Sequence, residues 1–263
     1  MDILVCIKQV PDTAENDIEL AKDGRGIDRE DMVYSINEWD NYAVEEAIQL
    51  RDKVGGSITV VTIGDEEADD VLRRQLAMGA DRGLHVCDQA LAGSDGLGLA
   101  TILAAVVRQG KYDLILTGAQ ADDCAGQVGG MLAALLDVPF AALVNQVEVK
   151  GQDVLRIGRE VAGGDQEISE IDLPCVLSIQ TGINQPRYVG IRGIRKVASV
   201  EIPQLDAPAL GLDPASVGDK AARLKRLDYF VPQGGPGAQM LTGKPDQLAA
   251  QLVEILKAKG GLR

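Results

Sequence analysis

Leu114-Ile-Leu-Thr-Gly-Ala-Gln-Ala-Asp-Asp-Cys-Ala-Gly-Gln-Val-Gly-Gly130 begins as an apolar run, breaks into small and polar residues, and leads into an Ala/Leu-rich stretch. The apolar run reads as a buried strand, and the following pattern predicts a helix from near Gln127 through Leu136. Gly118, Gly126, Gly129 and Gly130 let the backbone turn tightly and approach a ligand. The unpaired N–H groups at a helix start add donors and a positive dipole that suit a phosphate. A strand, glycine loop and helix in this order also serve as ordinary turn chemistry in α/β proteins, so the stretch alone leaves both readings open.

Upstream, strand and helix patterns alternate. Residues 2–10 read as a buried strand ending at the turn signal Pro11-Asp12, followed by a polar excursion from Ala14 to Asp31. Ala43, Val44, Ala47 and Ile48 then recur at helical spacing, with Asn37 or Asp40 suited to cap that helix. Ser57 to Gly64 reads as a second strand, Ala68 to Ala77 as a second helix, and Gly83 to Cys87 as a third strand. Leu97 to Val107 makes a third helix before the fourth strand at Asp113 to Thr117. This spacing is that of βαβ units and predicts a doubly wound parallel sheet. Ligands of such sheets bind outside the carboxyl ends of the strands. Here those ends are Lys8–Thr13, Thr62–Glu66 and Gly118–Gln127, and with Asn37 they converge on one cleft. The first strand carries no Gly-x-Gly-x-x-Gly, so an ordinary dinucleotide site is not indicated.

Composition narrows the function classes. The 263 residues carry a net charge of −14, which repels nucleic acid and anionic membrane surfaces. The single histidine, His85, sits in the strand-like Gly-Leu-His-Val-Cys and reads as a satisfied core residue, which disfavours histidine-driven acid–base catalysis. Cys6, Cys87, Cys124 and Cys175 form no Cys-x-x-Cys pair, so neither a metal site nor a disulfide framework is suggested. The start, Met-Asp-Ile-Leu-Val-Cys-Ile-Lys, shows no basic leader, and no segment approaches a membrane span; a cytoplasmic location is expected.

After Pro139 the texture changes. Runs from Phe140, Asp153, Asp165 and Cys175, separated by Gly151-Gln152 and Gly163-Gly164, read as an antiparallel meander added to the sheet. From Thr181 to Lys196, Ile183, Tyr188, Ile191 and Ile194 are interspersed with Arg187, Arg192, Arg195 and Lys196, a basic, partly apolar segment in an acidic chain. Ile191 as a docking residue and Ile191 packed internally beneath a solvated basic rim are both open at this point. Residues 200–245 hold most of the prolines and read as an extended arm lying on a partner or on its own domain, and Asp246 to Lys257 as an amphipathic terminal helix. The expected organisation is a nucleotide-binding α/β domain over 1–199 and an arm with a terminal helix over 200–263.

Five motifs in order, Cys6-Ile-Lys-Gln-Val-Pro-Asp12, Asn37-Glu-Trp-Asp40 with Val44-Glu-Glu-Ala47, Ala77-Met-Gly-Ala-Asp-Arg82, Gly118-Ala-Gln-Ala121 and Asn184-Gln-Pro-Arg-Tyr188, span nearly the whole chain. Together they resemble the β subunit of electron transfer flavoproteins. The tail segment Leu227-Asp-Tyr-Phe-Val-Pro-Gln-Gly looks most like the methylotroph branch that partners trimethylamine dehydrogenase. The resemblance implies an adenine nucleotide alpha hydrolase-like fold and a heterodimer whose α subunit binds most of the redox-active FAD. It implies a structural AMP held here by Cys6, Asn37, Glu38, Trp39, Asp40, Ile63, Gly118, Gln120, Ala121, Asp123, Gly126, Gln127 and Val128. It implies no catalytic residue. It further implies that Arg187, Tyr188, Ile191, Arg192, Arg195 and Lys196 dock an acyl-CoA or amine dehydrogenase, with Ile191 as apolar anchor, and that Thr13 and Glu160 face the flavin domain of the α subunit. Trp39 is either an apolar wall near the flavin or an ordinary core aromatic.

Two features depart from the family pattern: the loop between Gln120 and Gly129 is one residue shorter, and Val128 stands where AMP-binding members often carry threonine. Gln127-Val128 also occurs in the bifurcating branch, where a second FAD replaces AMP and oxidises NADH. A third reading is a stand-alone adenine-nucleotide sensor or hydrolase of similar fold.

Overall fold

The computed structural model describes residues 1–121, 126–232, 234–235 and 237–261. Strand β1 (Asp2–Cys6) leads into a short antiparallel pair, β2 (Gln9–Pro11) and β3 (Tyr34–Ile36), which brackets the polar excursion. The βαβ alternation follows as α1 (Glu38–Val54), β4 (Ser57–Ile63), α2 (Asp69–Met78), β5 (Arg82–Val86), α3 (Gly96–Gln109), β6 (Leu114–Gly118) and α4 (Val128–Leu136). Then come β7 (Phe140–Val149), β8 (Val154–Glu160), β9 (Gln166–Asp172), β10 (Cys175–Ile179), α5 (Ile191–Val197), β11 (Gln204–Leu205) and α6 (Pro245–Ala258). The first strand is shorter than the expected 2–10, because the chain leaves the sheet after Cys6 to form β2.

Among the described residues one sheet of nine strands has the order β11-β5-β4-β1-β6-β10-β7-β8-β9. Every pairing from β11 to β7 is parallel, while β7, β8 and β9 pair antiparallel. The doubly wound sheet with an added meander is therefore what the chain builds. One strand differs from the reading of the sequence: Cys175–Ile179, expected at the end of the meander, inserts between β6 and β7, parallel to both. All five of its residues are buried, so it has no face for solvent, the signature of a strand covered on both sides. By contrast, β9 leaves most of its residues exposed.

Side chains of the inner strands alternate between two cores. Ile3 and Val5 of β1 pack with Val44, Ile48 and Leu72 under α1 and α2. Leu4 and Cys6 pack on the other face with Ile102, Leu103 and Leu132 of α3 and α4. His85 of β5 is fully buried, as expected of a core residue, but neither ring nitrogen has a hydrogen-bond partner among the described residues.

The chain divides into two compact units, Met1–Glu19 with Asp28–Leu227, and Leu20–Ile27 with Asp228–Arg263. Residues 200–227, expected as the start of an arm, pack into the first unit. Strand β11 pairs with β5, Ala207, Leu210 and Val217 are buried, and Asp95 accepts the N–H groups of Arg223 (2.7 Å) and Leu224 (3.2 Å). In the second unit, α6 buries none of its residues and exposes Leu252, Val253 and Leu256. Among the described residues no helix is long and apolar enough to cross a membrane.

The position of β10 makes a direct prediction. Leu177→Ala, at a fully buried site, is expected to cost about 2–5 kcal/mol. Ile168→Ala on the half-exposed face of β9 is expected to stay within about 0.5 kcal/mol. Urea denaturation midpoints check the contrast; equal losses would contradict a central β10.

Candidate functional site

The strand order reverses at β1: β4, β5 and β11 lie to one side, β6, β10, β7, β8 and β9 to the other. At such a switch point the loops leaving two adjacent strands diverge and open a crevice at their carboxyl ends. A cleft with about 690 Å³ of empty space, its open mouth included, occupies this place. Its wall includes Cys6 and Lys8 after β1, Asn37 and Asp40 at the start of α1, Ile63 of β4, and Gly118, Gln120 and Ala121 after β6. Gly126, Gln127 and Val128 at the start of α4 close it.

Asp40 organises this end of the sheet. Its Oδ2 accepts the N–H of Lys8 (2.8 Å) and its Oδ1 the N–H of Gly118 (2.9 Å), so one carboxylate ties the ends of β1 and β6 to α1. Gly118 is required by this approach: a Cβ there would run into Asp40 Oδ1 and come within 2.7 Å of Trp39 Cβ. Burial pushes the Asp40 carboxyl up to about 7, against hydrogen bonds from Asn37, Lys8 and Gly118 and the Lys8 charge, which pull it down. Burial, reinforced by the charge of Asp40, also pushes the Cys6 thiol far above its ordinary range, so Cys6 is a protonated packing residue and no nucleophile.

Asn37 precedes α1, but its side chain makes no capping bond there. Instead Nδ2 donates to Gln120 O (2.8 Å), which pins the loop after β6 to the helix. Its Oδ1 is buried without a partner among the described residues. A buried acceptor left unpaired is costly, and here it stands on the wall of a cleft where a ligand hydroxyl or amine can satisfy it. The opposite wall supplies donors. The first backbone bond at the start of α4 runs from Met131 N–H to Gln127 O (3.2 Å), so the N–H groups of Val128, Gly129 and Gly130 precede the helical ladder. Gly129 packs too closely for any side chain: a Cβ would collide with Ser178 Oγ and sit 2.9 Å from Thr117 Oγ1. A buried acceptor, a helix N-terminus and Lys8, the one basic residue of the described wall, are the groups that recognise an anionic, hydrogen-bonding ligand.

Most of the residues expected to bind a nucleotide thus meet in one place. Glu38 and Trp39 stand outside the described wall: Glu38 is exposed, and the Trp39 indole donates to Gln180 Oε1 (3.1 Å). Asp123 lies outside the described residues. Thr117, Leu99 and Leu103 also line the cleft without having been singled out. Thr117 is the last residue but one of β6, and Leu99 and Leu103 are one helical turn apart on α3, so a strand-end rule and an i,i+4 pairing would have found them.

The basic segment forms a separate surface. Tyr188 is 91% and Ile191 68% exposed, so Ile191 is not packed internally, and Arg192, Arg195 and Lys196 of α5 are exposed as well. Arg187 points elsewhere. Its Nε donates to Glu45 Oε2 (2.8 Å) and its Nη2 to Glu45 Oε1 (3.0 Å), a bidentate pair with a buried carboxylate of α1. Thr13, in the turn after β2, and Glu160, at the end of β8, are both exposed and lie outside the described wall of the cleft.

The Asp40 carboxyl makes stability depend on pH in a defined sense. With its value raised from 3.8 to about 7, the native state keeps a proton that the unfolded chain has released, so this group's contribution falls as pH rises through that window. In Asp40→Asn that slope is expected to vanish, and one of the two buried N–H groups loses its acceptor, at a cost of about 1–3 kcal/mol. Denaturation midpoints of both proteins across that window check it; an unchanged slope would mean that another group titrates.

Comparison with known proteins bears on the same features. Residues 25–210 match the model of the electron transfer flavoprotein domain. The chain is 36% identical to the electron transfer flavoprotein subunit beta of Methylophilus methylotrophus, covering 97% of this chain and 98% of that protein. It is 36% identical to the corresponding subunit of Bacillus subtilis, over 98% of each chain. It is 35% identical to the caffeyl-CoA reductase-Etf complex subunit CarD of Acetobacterium woodii, over 98% of this chain and 99% of that one. With a full-length match joined to a parallel sheet that opens a cleft at its switch point, the chain belongs to the electron transfer flavoprotein family, among its beta subunits.

Proposed function

We propose that this chain is the non-catalytic small subunit of a heterodimeric electron transfer flavoprotein, holding AMP as a structural ligand and docking a dehydrogenase so that the FAD of the α subunit can accept and pass on electrons. The observation that carries the AMP assignment is the unpaired buried Oδ1 of Asn37 in a cleft closed by the N-terminus of α4. In this reading the N–H groups at Val128 and Gly129 take the phosphate, and Asn37 takes a donor of the ribose or adenine. Val128 lacks a hydroxyl, so the phosphate relies on backbone donors and the helix dipole. Flavin, when bound to the heterodimer, supplies the redox chemistry. This chain's residues supply position: the thiol of Cys6 is inert, and its buried carboxyl at Asp40 is engaged by two backbone N–H groups.

The docking assignment rests on Tyr188 and Ile191, large exposed side chains on the same short segment as the exposed Arg192, Arg195 and Lys196. An aliphatic anchor with surrounding charge gives affinity at the centre and steering at the rim. Thr13 and Glu160 are proposed to meet the mobile flavin domain, and the exposed Phe230, Val231 and Leu252 of the second unit to meet the α subunit. A second reading, with FAD in place of AMP and oxidation of NADH, is favoured by Val128, shared with the bifurcating branch.

Denaturing the purified heterodimer and identifying the released nucleotides separates the two. One FAD with one AMP supports the carrier; two FAD, together with NADH-dependent flavin reduction, support the bifurcating enzyme; absence of any adenine nucleotide beyond one FAD would overturn both assignments of the cleft. Ile191→Ala is expected to raise the dehydrogenase concentration needed for half-maximal electron transfer roughly tenfold, with flavin content unchanged. Unaltered kinetics would remove the anchor role.

A further inference from the structure

The segment 184–197 is held to the body of the molecule by side chains that a list of docking residues does not contain. Glu45 lies in the second turn of α1 with its side chain only 5% exposed. It receives three bonds from Arg187: from the backbone N–H (3.2 Å), from Nε (2.8 Å) and from Nη2 (3.0 Å). Burial opposes the Glu45 charge, but the hydrogen bonds from Arg187 and Gln49 outweigh it and hold the carboxyl below its ordinary range. Next to it, Asn184 Nδ2 donates to Tyr42 O (3.1 Å) and to Glu46 Oε2 (3.0 Å). At the far end Arg73 of α2 donates to the carbonyls of Val197 (3.1 Å), Ala198 (3.2 Å) and Val200 (3.0 Å). Between these two clamps lie Tyr188 and Ile191, the most exposed large hydrophobic side chains of the segment.

The seven-residue α5 buries one side chain, Val197, and rests on α2, while Ile183 and Val189 before it pack against the core. That seat is shallow, and the clamps add directional bonds to it at both ends. A bidentate pair with a buried carboxylate is directional, whereas the basic residues on α5 itself point into solvent.

We propose that Glu45 is a positioning residue for partner docking: by clasping Arg187 it fixes the segment that presents Tyr188 and Ile191, and Arg187 belongs to this clasp and not to the contact face. The proposal deepens the docking reading given above and rests on it. It also orders the two α1 carboxylates by role, Glu45 gripping the guanidinium and Glu46 the Asn184 amide. Because the clasp sets geometry and not the redox centre, its loss acts on encounter with the partner and leaves the electron-transfer step at saturation alone.

The test uses the intact heterodimer with its dehydrogenase. Glu45→Gln keeps the shape of the side chain and removes the charge. Hydrogen exchange at the backbone amides of 184–197, measured without the dehydrogenase, is expected to speed up by roughly tenfold, the scale of one lost charge-assisted contact. Half-maximal electron transfer is expected to need more dehydrogenase by a similar factor, with the rate at saturation and the bound nucleotide unchanged. Arg187→Lys, which retains the charge and loses the planar fork, is expected to fall between the two. Unchanged exchange in Glu45→Gln overturns the clasp, whatever the kinetics. Faster exchange with unchanged half-saturation, in a protein where Ile191→Ala is also silent, refutes docking through this segment and leaves the clasp as a fold feature only. A loss of bound nucleotide in Glu45→Gln would also count against the proposal, because it would place the effect in the cleft.

Discussion

One carboxylate holds the arrangement together. Asp40 accepts N–H groups from the ends of β1 and β6, the two strands between which the chain order reverses. Backbone donors at such strand ends have no ladder partner, and burying them without an acceptor is costly. A single side chain from α1 satisfies both, and in doing so sets the width of the crevice. The requirement propagates outward: Gly118 must lack a side chain to let the carboxylate in, and Asn37, three residues earlier, is left facing the loop, where it pins Gln120.

The consequence is a cleft built for holding. Its buried thiol and carboxyl are driven toward their neutral forms by desolvation, its one described basic residue is Lys8, and its polar features include backbone N–H groups, Thr117, Gln120, Gln127 and one unpaired amide oxygen. In the proposed function these groups hold an adenine nucleotide and do little to it. The helix that opens at this cleft continues to the surface where Glu45 and Glu46 grip the basic segment, so α1 lines the cleft at its start and carries the clasp contacts further along. Arg51 in its last turn reaches Gly79 O (2.7 Å) and Asp81, fixing the same helix to the βα unit that follows. Three surfaces of the first unit thus share one rigid element.

Reading residues in order recovered the parts governed by local pattern. The apolar runs of β1, β4 and β6, the helical spacing of α1, and the glycine-rich entry to α4 are each set by periodicity of 2 or 3.6 and by turn chemistry, and those do not depend on what packs nearby. The five spaced motifs extended this to family. One strand was misplaced, because neighbours across the fold are invisible in a linear pattern. Cys175–Ile179 has the continuous apolar texture of a central strand, yet its place beside the meander in sequence suggested an antiparallel partner. Residues 200–227 look irregular because their bonds run to Asp88, Asp95 and β5, more than a hundred residues upstream.

Sequence by itself determined that this chain folds as a parallel α/β sheet with a cleft at its strand ends, since buried strands and amphipathic helices declare themselves through side-chain periodicity. Only the tertiary structure decided what each polar residue does there. Asn37 pins the loop after β6 and makes no side-chain cap, the Trp39 indole bonds Gln180, and the Arg187 guanidinium pairs with Glu45. A hydrogen bond goes to whichever partner the fold brings within about 3 Å, and that is a property of packing, not of spacing along the chain.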